Sequence, residues 1–115
     1  MKGILCDYLE FLRYPFDHSF ELFGRKWTAP ILTELFNGKD RFNTLLETIP
    51  AMNPRTLAIR LNDLETQGLI SREVDKSSSP RIRYRITKKG EDLRKLMLEM
   101  ATFSIRWSRL AATHD

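Results

Sequence analysis

Pro50 and Pro54 stand four residues apart, and together they leave this chain very few ways to pass between them. Proline ends a helix it would otherwise sit inside, yet it is favoured at the first helical position. Pro50 therefore closes a helix expected over 42–49, where Phe42, Leu45, Leu46 and Ile49 recur at i, i+3, i+4 and i+7. Ala51 and Met52 form a tight turn, Asn53 suits an N-cap, and Pro54 opens the next helix. Leu57, Leu61 and Leu64 give that helix one buried stripe, and Gly68 is placed to stop it. A helix, a short turn and a capped helix make the helix-turn-helix pattern over 42–67.

The flanking segments follow from the same rules. Residues 1–13 carry Ile4, Leu5, Tyr8, Leu9 and Leu12 at helical spacing, as a short helix or an arm. Pro15 separates them from a helix holding Phe20, Leu22 and Phe23, with Asp17 suited to its N-cap and Gly24 at its end. Thr28 is expected to cap a further helix with Pro30 in its first turn, Ile31, Leu32, Leu35 and Phe36 buried, and Asn37-Gly38 as its stop. Trp27 reads as a core anchor. After Gly68, Leu69, Ile70 and Val74 build a strand, Asp75 to Pro80 make a polar turn, and Ile82, Tyr84 and Ile86 alternate with Arg81, Arg83 and Arg85. This hairpin, over 69–86, is expected to bury one face and present the other as a cationic wing. Thr87 caps a last helix over 87–111, with Gly90 a weak point in its first turn. The fold class is mainly α with a small β-hairpin (α+β), a single winged helix-turn-helix domain over 1–115 with helical dimerisation elements at its termini.

Charge is concentrated in one place. Residues 53–90 hold nine Lys/Arg against four Asp/Glu, a net of +5, while the rest holds ten against eleven, a net of −1. The overall +4 therefore originates in one segment. A localised cationic field is what phosphate binding requires, although a solvated basic face has the same charge count. At 100° per residue, Arg55, Ile59, Asn62 and Thr66 point away from the leucine stripe, flanked by Thr56 and Asp63. Arg pairs with guanine, Asn with adenine, and an aliphatic group touches the thymine methyl. Arg55, Thr56, Ile59 and Asn62 are thus the base-reading candidates. Arg60, nearer the core edge, Lys76, Arg81 and Arg83 are candidates for phosphate or the minor groove, with Arg41 and Asn53 as further phosphate candidates.

In the last helix Leu93, Met100 and Trp107 are spaced by seven, and so are Leu96, Phe103 and Leu110, with Met97 on the same side. A helix of that length spans roughly 35 Å, more than so small a domain can cover. Leu96, Met100, Phe103, Trp107 and Leu110 are therefore assigned to a homodimer interface, since water would otherwise meet an apolar stripe.

Other function classes find little support. No apolar run approaches a membrane span, the N-terminus lacks a signal-peptide pattern, and the cytoplasm is the default location. One cysteine, Cys6, makes neither an internal disulfide nor a cysteine-based zinc site alone, and His18 and His114 lie far apart. No phosphate loop, nucleophile elbow or carboxylate motif is present, so neither an enzyme, a cofactor nor a metal is expected. A protein-binding winged helix would show an apolar or acidic outer face and no basic wing. A ligand-responsive switch with a small-molecule effector is a further alternative, though no residue cluster identifies its site.

These residues resemble the HxlR family, small winged helix-turn-helix regulators similar in architecture to MarR-type proteins. The resemblance rests on Gly24-Arg25-Lys26-Trp27-Thr28, Arg41-Phe42-Asn43, Ile49-Pro50, Arg60-Leu61, Gly68-Leu69-Ile70 and Thr87-Lys88-Lys89-Gly90, and covers about 14–110. It implies a transcriptional regulator that binds double-stranded DNA as a homodimer on an inverted-repeat operator. Many members carry a cysteine directly before the proline that here is Pro15, and some sense oxidants with it; this chain has Tyr14 there, and its one cysteine is Cys6.

Overall fold

The computed structural model describes residues 15, 17–76 and 81–108. Helix α1 comprises residue 15 and residues 17–24; α2 spans Thr28–Phe36, α3 Phe42–Thr48 and α4 Pro54–Thr66. Strands β1 (Ile70–Asp75) and β2 (Arg81–Ile86) form an antiparallel hairpin, and α5 (Lys88–Arg106) follows. The arm over 1–13, Cys6, Tyr14, the wing tip over 77–80 and Leu110 lie outside the described residues.

One core joins these elements. Ile31, Leu32 and Leu35 of α2, Leu45 and Ile49 around α3, and Leu57, Leu61 and Leu64 of α4 are buried with Leu69, Ile70 and Leu93. Each fully buried leucine or isoleucine contributes about 1.5–3 kcal/mol relative to exposure. The expected stripe of α4 is thus the inner face of the molecule. Trp27, Phe36, Phe42, Leu46, Tyr84, Ile86 and Met97 pack around this core.

Two helix starts differ from expectation. Asp17 lies inside α1 and does not cap it: the Pro15 carbonyl already accepts a bond from Ser19 Oγ at 3.0 Å, the i−4 spacing of a helix. Thr28 is the buried first residue of α2, and Trp27 takes the N-cap position with a left-handed backbone (φ 78°) and no side-chain cap bond. That conformation costs about 1–2 kcal/mol in a non-glycine residue. Packing of the Trp27 ring against the core offsets it, so the ring and not a hydroxyl sets where α2 begins.

The exits and the later caps follow local chemistry. Asn53 Oδ1 accepts the Thr56 N–H at 2.8 Å, as expected of an N-cap. Gly68 (φ 76°) ends α4 with the Gly68 N–H on the Glu65 carbonyl at 2.9 Å and the Leu69 N–H on that of Leu64 at 3.0 Å. This is the Schellman arrangement, which needs a left-handed residue and so favours glycine. Ala51 adopts φ 62° in the turn between α3 and α4.

The hairpin pairs Ile70 with Ile86 at its base and Asp75 with Arg81 towards its tip. Ile70 is buried, whereas Val74 is 56% exposed. Val74 lies in the strand, as expected, but the strand leaves the core after its base, as a projecting wing does. A backbone bond from Tyr84 N to the Asp40 carbonyl, 2.8 Å, ties β2 to the α2–α3 loop.

Gly90 overturns its expected role. Thr87 caps α5 by accepting the Gly90 N–H at 3.1 Å, and its hydroxyl donates to the Gly68 carbonyl at 2.6 Å. A Cβ at Gly90 would meet the Leu69 carbonyl oxygen at 2.3 Å and Ile86 Cγ2 at 2.8 Å. The missing side chain is what lets α5 approach the α4–β1 junction. Gly90→Ala should therefore destabilise by about 1–3 kcal/mol through overpacking, despite the gain of roughly 1 kcal/mol that alanine brings to a helix. Urea unfolding of the two proteins checks the sign.

Candidate nucleic-acid interface

The outward face of α4 is built by elimination. With Leu57, Leu61 and Leu64 buried, the helical period brings Arg55, Ile59 and Asn62 to the surface, and Ile59 is 46% exposed. Thr56 is half-buried and its N–H is committed to Asn53. Thr66 is exposed, but with Asp63 and Gln67 it lines an open cavity of about 320 Å³ whose other wall is His18, Glu21, Leu22 and Arg25 of the α1 region. The part of the outer face that does not line this cavity is thus the N-terminal two-thirds of α4.

The cations divide into two groups. Arg60, expected to reach towards a nucleic-acid backbone, is half-buried and donates from Nη1 to Asp63 Oδ2 at 3.0 Å, one turn along its own helix. Arg85 donates from Nε to Glu73 Oε2 at 3.1 Å across the hairpin. Arg83 is half-buried, with Nη1 3.8 Å from Asp40 Oδ2. The hairpin face expected to be uniformly cationic is therefore interleaved with acids, because Glu73 stands opposite Arg83 in the strand register. Among the described residues, Arg55, Arg72, Lys76, Arg81, Lys88 and Lys89 of the basic segment, and Arg41 before it, carry no ion pair; all but the half-buried Arg41 are exposed. Arg72 was not singled out in the sequence, although it lies within the basic segment. Asn53 keeps only its amide nitrogen for a phosphate, since Oδ1 serves the cap.

On α5, Leu96 and Met100 are each 44% exposed, Phe103 67% and Trp107 73%. They lie on one side of the helix, next to the buried Leu93. Leu98 and Ile105 are also exposed, outside the expected seam, so the apolar surface of α5 is wider than two interleaved heptads. The regular helix ends at Arg106, and Trp107 is its C-cap. Among the described residues no helix is long and apolar enough to cross a membrane.

A helix-turn-helix with a solvent-facing second helix, followed by a hairpin anchored at its base, defines a winged helix-turn-helix protein. The model of the HxlR-like helix-turn-helix family matches residues 22–111. The chain belongs to this family and is a transcriptional regulator of the helix-turn-helix type. It is 34% identical over 93 residues to the HTH-type regulator sll1512 of Synechocystis, covering 81% of this chain and 69% of that one. With the transcriptional regulator YodB of Bacillus subtilis it shares 32% identity over 104 residues, 90% of this chain and 87% of YodB. The reduced form of YodB superposes with a TM-score of 0.75 at 30% identity, covering 81% of this chain and 91% of the other. A MarR-family regulator from Enterococcus faecalis shares the fold, with a TM-score of 0.80 at 24% identity over 88% of this chain and 92% of the other.

Tyr84, packed against the core beneath the wing, has its phenol pushed above the usual value of 10.0 by burial, with Arg72 opposing and Glu65 adding to the shift. The folded state therefore holds this proton more tightly than the unfolded chain does. Stability should fall as pH rises through and above 10, and Tyr84→Phe should remove that part of the decline. Denaturant midpoints measured from pH 8 to 11 on both proteins test it.

Proposed function

We propose that two copies of this chain bind an inverted-repeat operator in double-stranded DNA, each placing the N-terminal part of α4 in the major groove with its wing against the flanking backbone. The observation that carries this is the α4 face: Arg55, Ile59 and Asn62 are exposed directly opposite the buried leucines, starting from Arg55 in the first turn after the α3–α4 turn. In a helix-turn-helix that end meets base edges. Arg55 would pair with guanine and Asn62 with adenine, Ile59 would contact a thymine methyl, and Thr56 would flank them. Lys76, Arg81 and Arg83, with Arg41, Asn53 and Arg60, would contact phosphates or the minor groove and position the protein without specifying sequence. Arg72, exposed and without an ion pair, joins this group.

The dimer is supported by the apolar side of α5. Leu96, Met100, Phe103 and Trp107 would be excluded from water by a second copy, with Leu110 continuing the series. Two-fold pairing would set the recognition helices about 34 Å apart, one turn of DNA.

Selection of bound duplexes from a random pool should return a two-fold symmetric consensus; an asymmetric one would sink the dimeric arrangement. On that consensus Arg55→Ala should lower affinity by about ten- to a hundredfold and relax one symmetric position, since a bidentate contact discriminates by roughly 1–3 kcal/mol. Unchanged affinity and consensus would remove Arg55 from the base-reading set. Replacing Phe103 and Trp107 together by serine should shift the protein to monomer in sedimentation analysis and weaken operator binding at the same concentration.

A further inference from the structure

We propose that Asp40 is an internal competitor for the wing, holding Arg83 in the free protein and yielding it to a DNA phosphate in the complex. The inference deepens the function proposed above and rests on it. Three features, taken together, distinguish the Asp40–Arg83 pair from the other ion pairs of this surface.

The first is geometry. Arg60–Asp63 and Arg85–Glu73 are hydrogen-bonded at 3.0 and 3.1 Å, whereas Arg83 Nη1 lies 3.8 Å from Asp40 Oδ2, beyond hydrogen-bond reach. The attraction is ionic only, and with the two side chains 35% and 29% exposed it is partly screened.

The second is incompleteness. Arg83 Nε is buried and has no hydrogen-bond partner; the same holds for Arg60 Nε, but Arg60 keeps a hydrogen bond to its carboxylate through Nη1, and Arg83 has none to Asp40. A buried donor left unsatisfied carries a desolvation cost, so the docked position of this guanidinium is under-satisfied. A phosphate presents two free oxygens to the guanidinium fork and can take two parallel N–H bonds. Swinging outward would exchange a loose ionic contact and an orphaned N–H for a charge-assisted pair. Glu73 does not compete, although it stands opposite Arg83 in register, because its carboxylate is held by Arg85 Nε.

The third is redundancy. The Asp40 carbonyl already accepts the Tyr84 N–H at 2.8 Å, so the backbone holds β2 against the α2–α3 loop without help from the side chains. The ion pair can open while the wing stays in place. Asp40 also precedes Arg41, the N-cap residue of α3, so its carboxylate lies next to a second candidate phosphate contact. Its effect would be to lower the sequence-independent part of the affinity, leaving more of the choice of site to α4.

The test is a fluorescence-anisotropy titration of a random-sequence duplex with the full chain over a salt series, for the wild type, Asp40→Asn, Arg83→Gln and the double variant. Arg83→Gln should weaken binding and reduce the log–log salt slope by about 1. Asp40→Asn should tighten binding by about two- to fivefold, as expected for releasing a solvent-accessible ion pair. Asp40→Asn should have no effect in the Arg83→Gln background. Asp40→Ser repeats the charge removal if the asparagine variant folds poorly. An unchanged slope for Arg83→Gln would show that Arg83 stays docked and would overturn the proposal. So would weaker binding by both Asp40 variants, or equal tightening with and without Arg83, which is a general charge effect. Absence of salt-dependent binding by the wild type is a separate result, and it would refute the proposed function itself.

Discussion

The close approach of α5 to the end of α4 is the contact on which the rest of the arrangement depends. Gly68 turns the chain out of α4, Leu69 enters the core, and the Leu69 carbonyl then accepts the Thr87 N–H at 3.1 Å. Thr87 reaches back to the Gly68 carbonyl while capping α5, and Lys89 Nζ donates to the Gln67 carbonyl at 2.7 Å. Gly90 lies against Leu69 and Ile86 with no room for a side chain. Thr87, Lys89 and Gly90 thus lock together the recognition helix, the base of the wing and the start of α5. The orientation of α4 relative to α5 is set there. In the proposed dimer that orientation also determines how far apart two recognition helices lie.

The electrostatics of the surface are less generous than its charge count. Residues 53–90 carry a net +5, yet Arg60, Arg83 and Arg85 each face a carboxylate. Arg55, Arg72, Lys76, Arg81, Lys88 and Lys89 form the part of the field that is exposed and faces no carboxylate. Paired arginines serve a different physical purpose. Arg60 and Arg85 are held in place by hydrogen bonds to their carboxylates while Arg83 has an ionic contact only, and the charge of all three is felt at short range more than at long range. Such a surface favours contacts that need accurate docking over indiscriminate attraction to polyanions.

Much of this fold was legible because the signals are local. The leucine stripe of α4, the Asn53 cap, the Pro54 start and the Gly68 stop each depend on residues within one or two turns of one another, and each stands where the pattern placed it. The first turn of α2 was not legible, since Thr28 has the chemistry of a cap but the Trp27 ring docks on the core and takes that position. The exposure of Val74 was not legible either: alternation assigns a face to a strand but does not say how far along it the core extends. In the site, exposure of Arg55, Ile59 and Asn62 followed from period alone. The partners of Arg83 and Arg85 did not, because Asp40 and Glu73 are brought to them only by the hairpin and its rung to the α2–α3 loop.

By itself the sequence determined which segments are helical, which side of each is apolar, where the α3–α4 turn falls and where positive charge accumulates. These depend on dihedral preferences, capping bonds and periodicity, which act over a few residues. Tertiary structure alone decided the meaning of Gly90 and the pairing of Arg83. A glycine in a first helical turn costs stability when judged locally, yet here it admits a backbone carbonyl that no alanine could accommodate. An arginine in an alternating strand looks free until a loop from another part of the chain sets a carboxylate beside it. Both outcomes depend on distances between elements, and those are fixed only when the core closes.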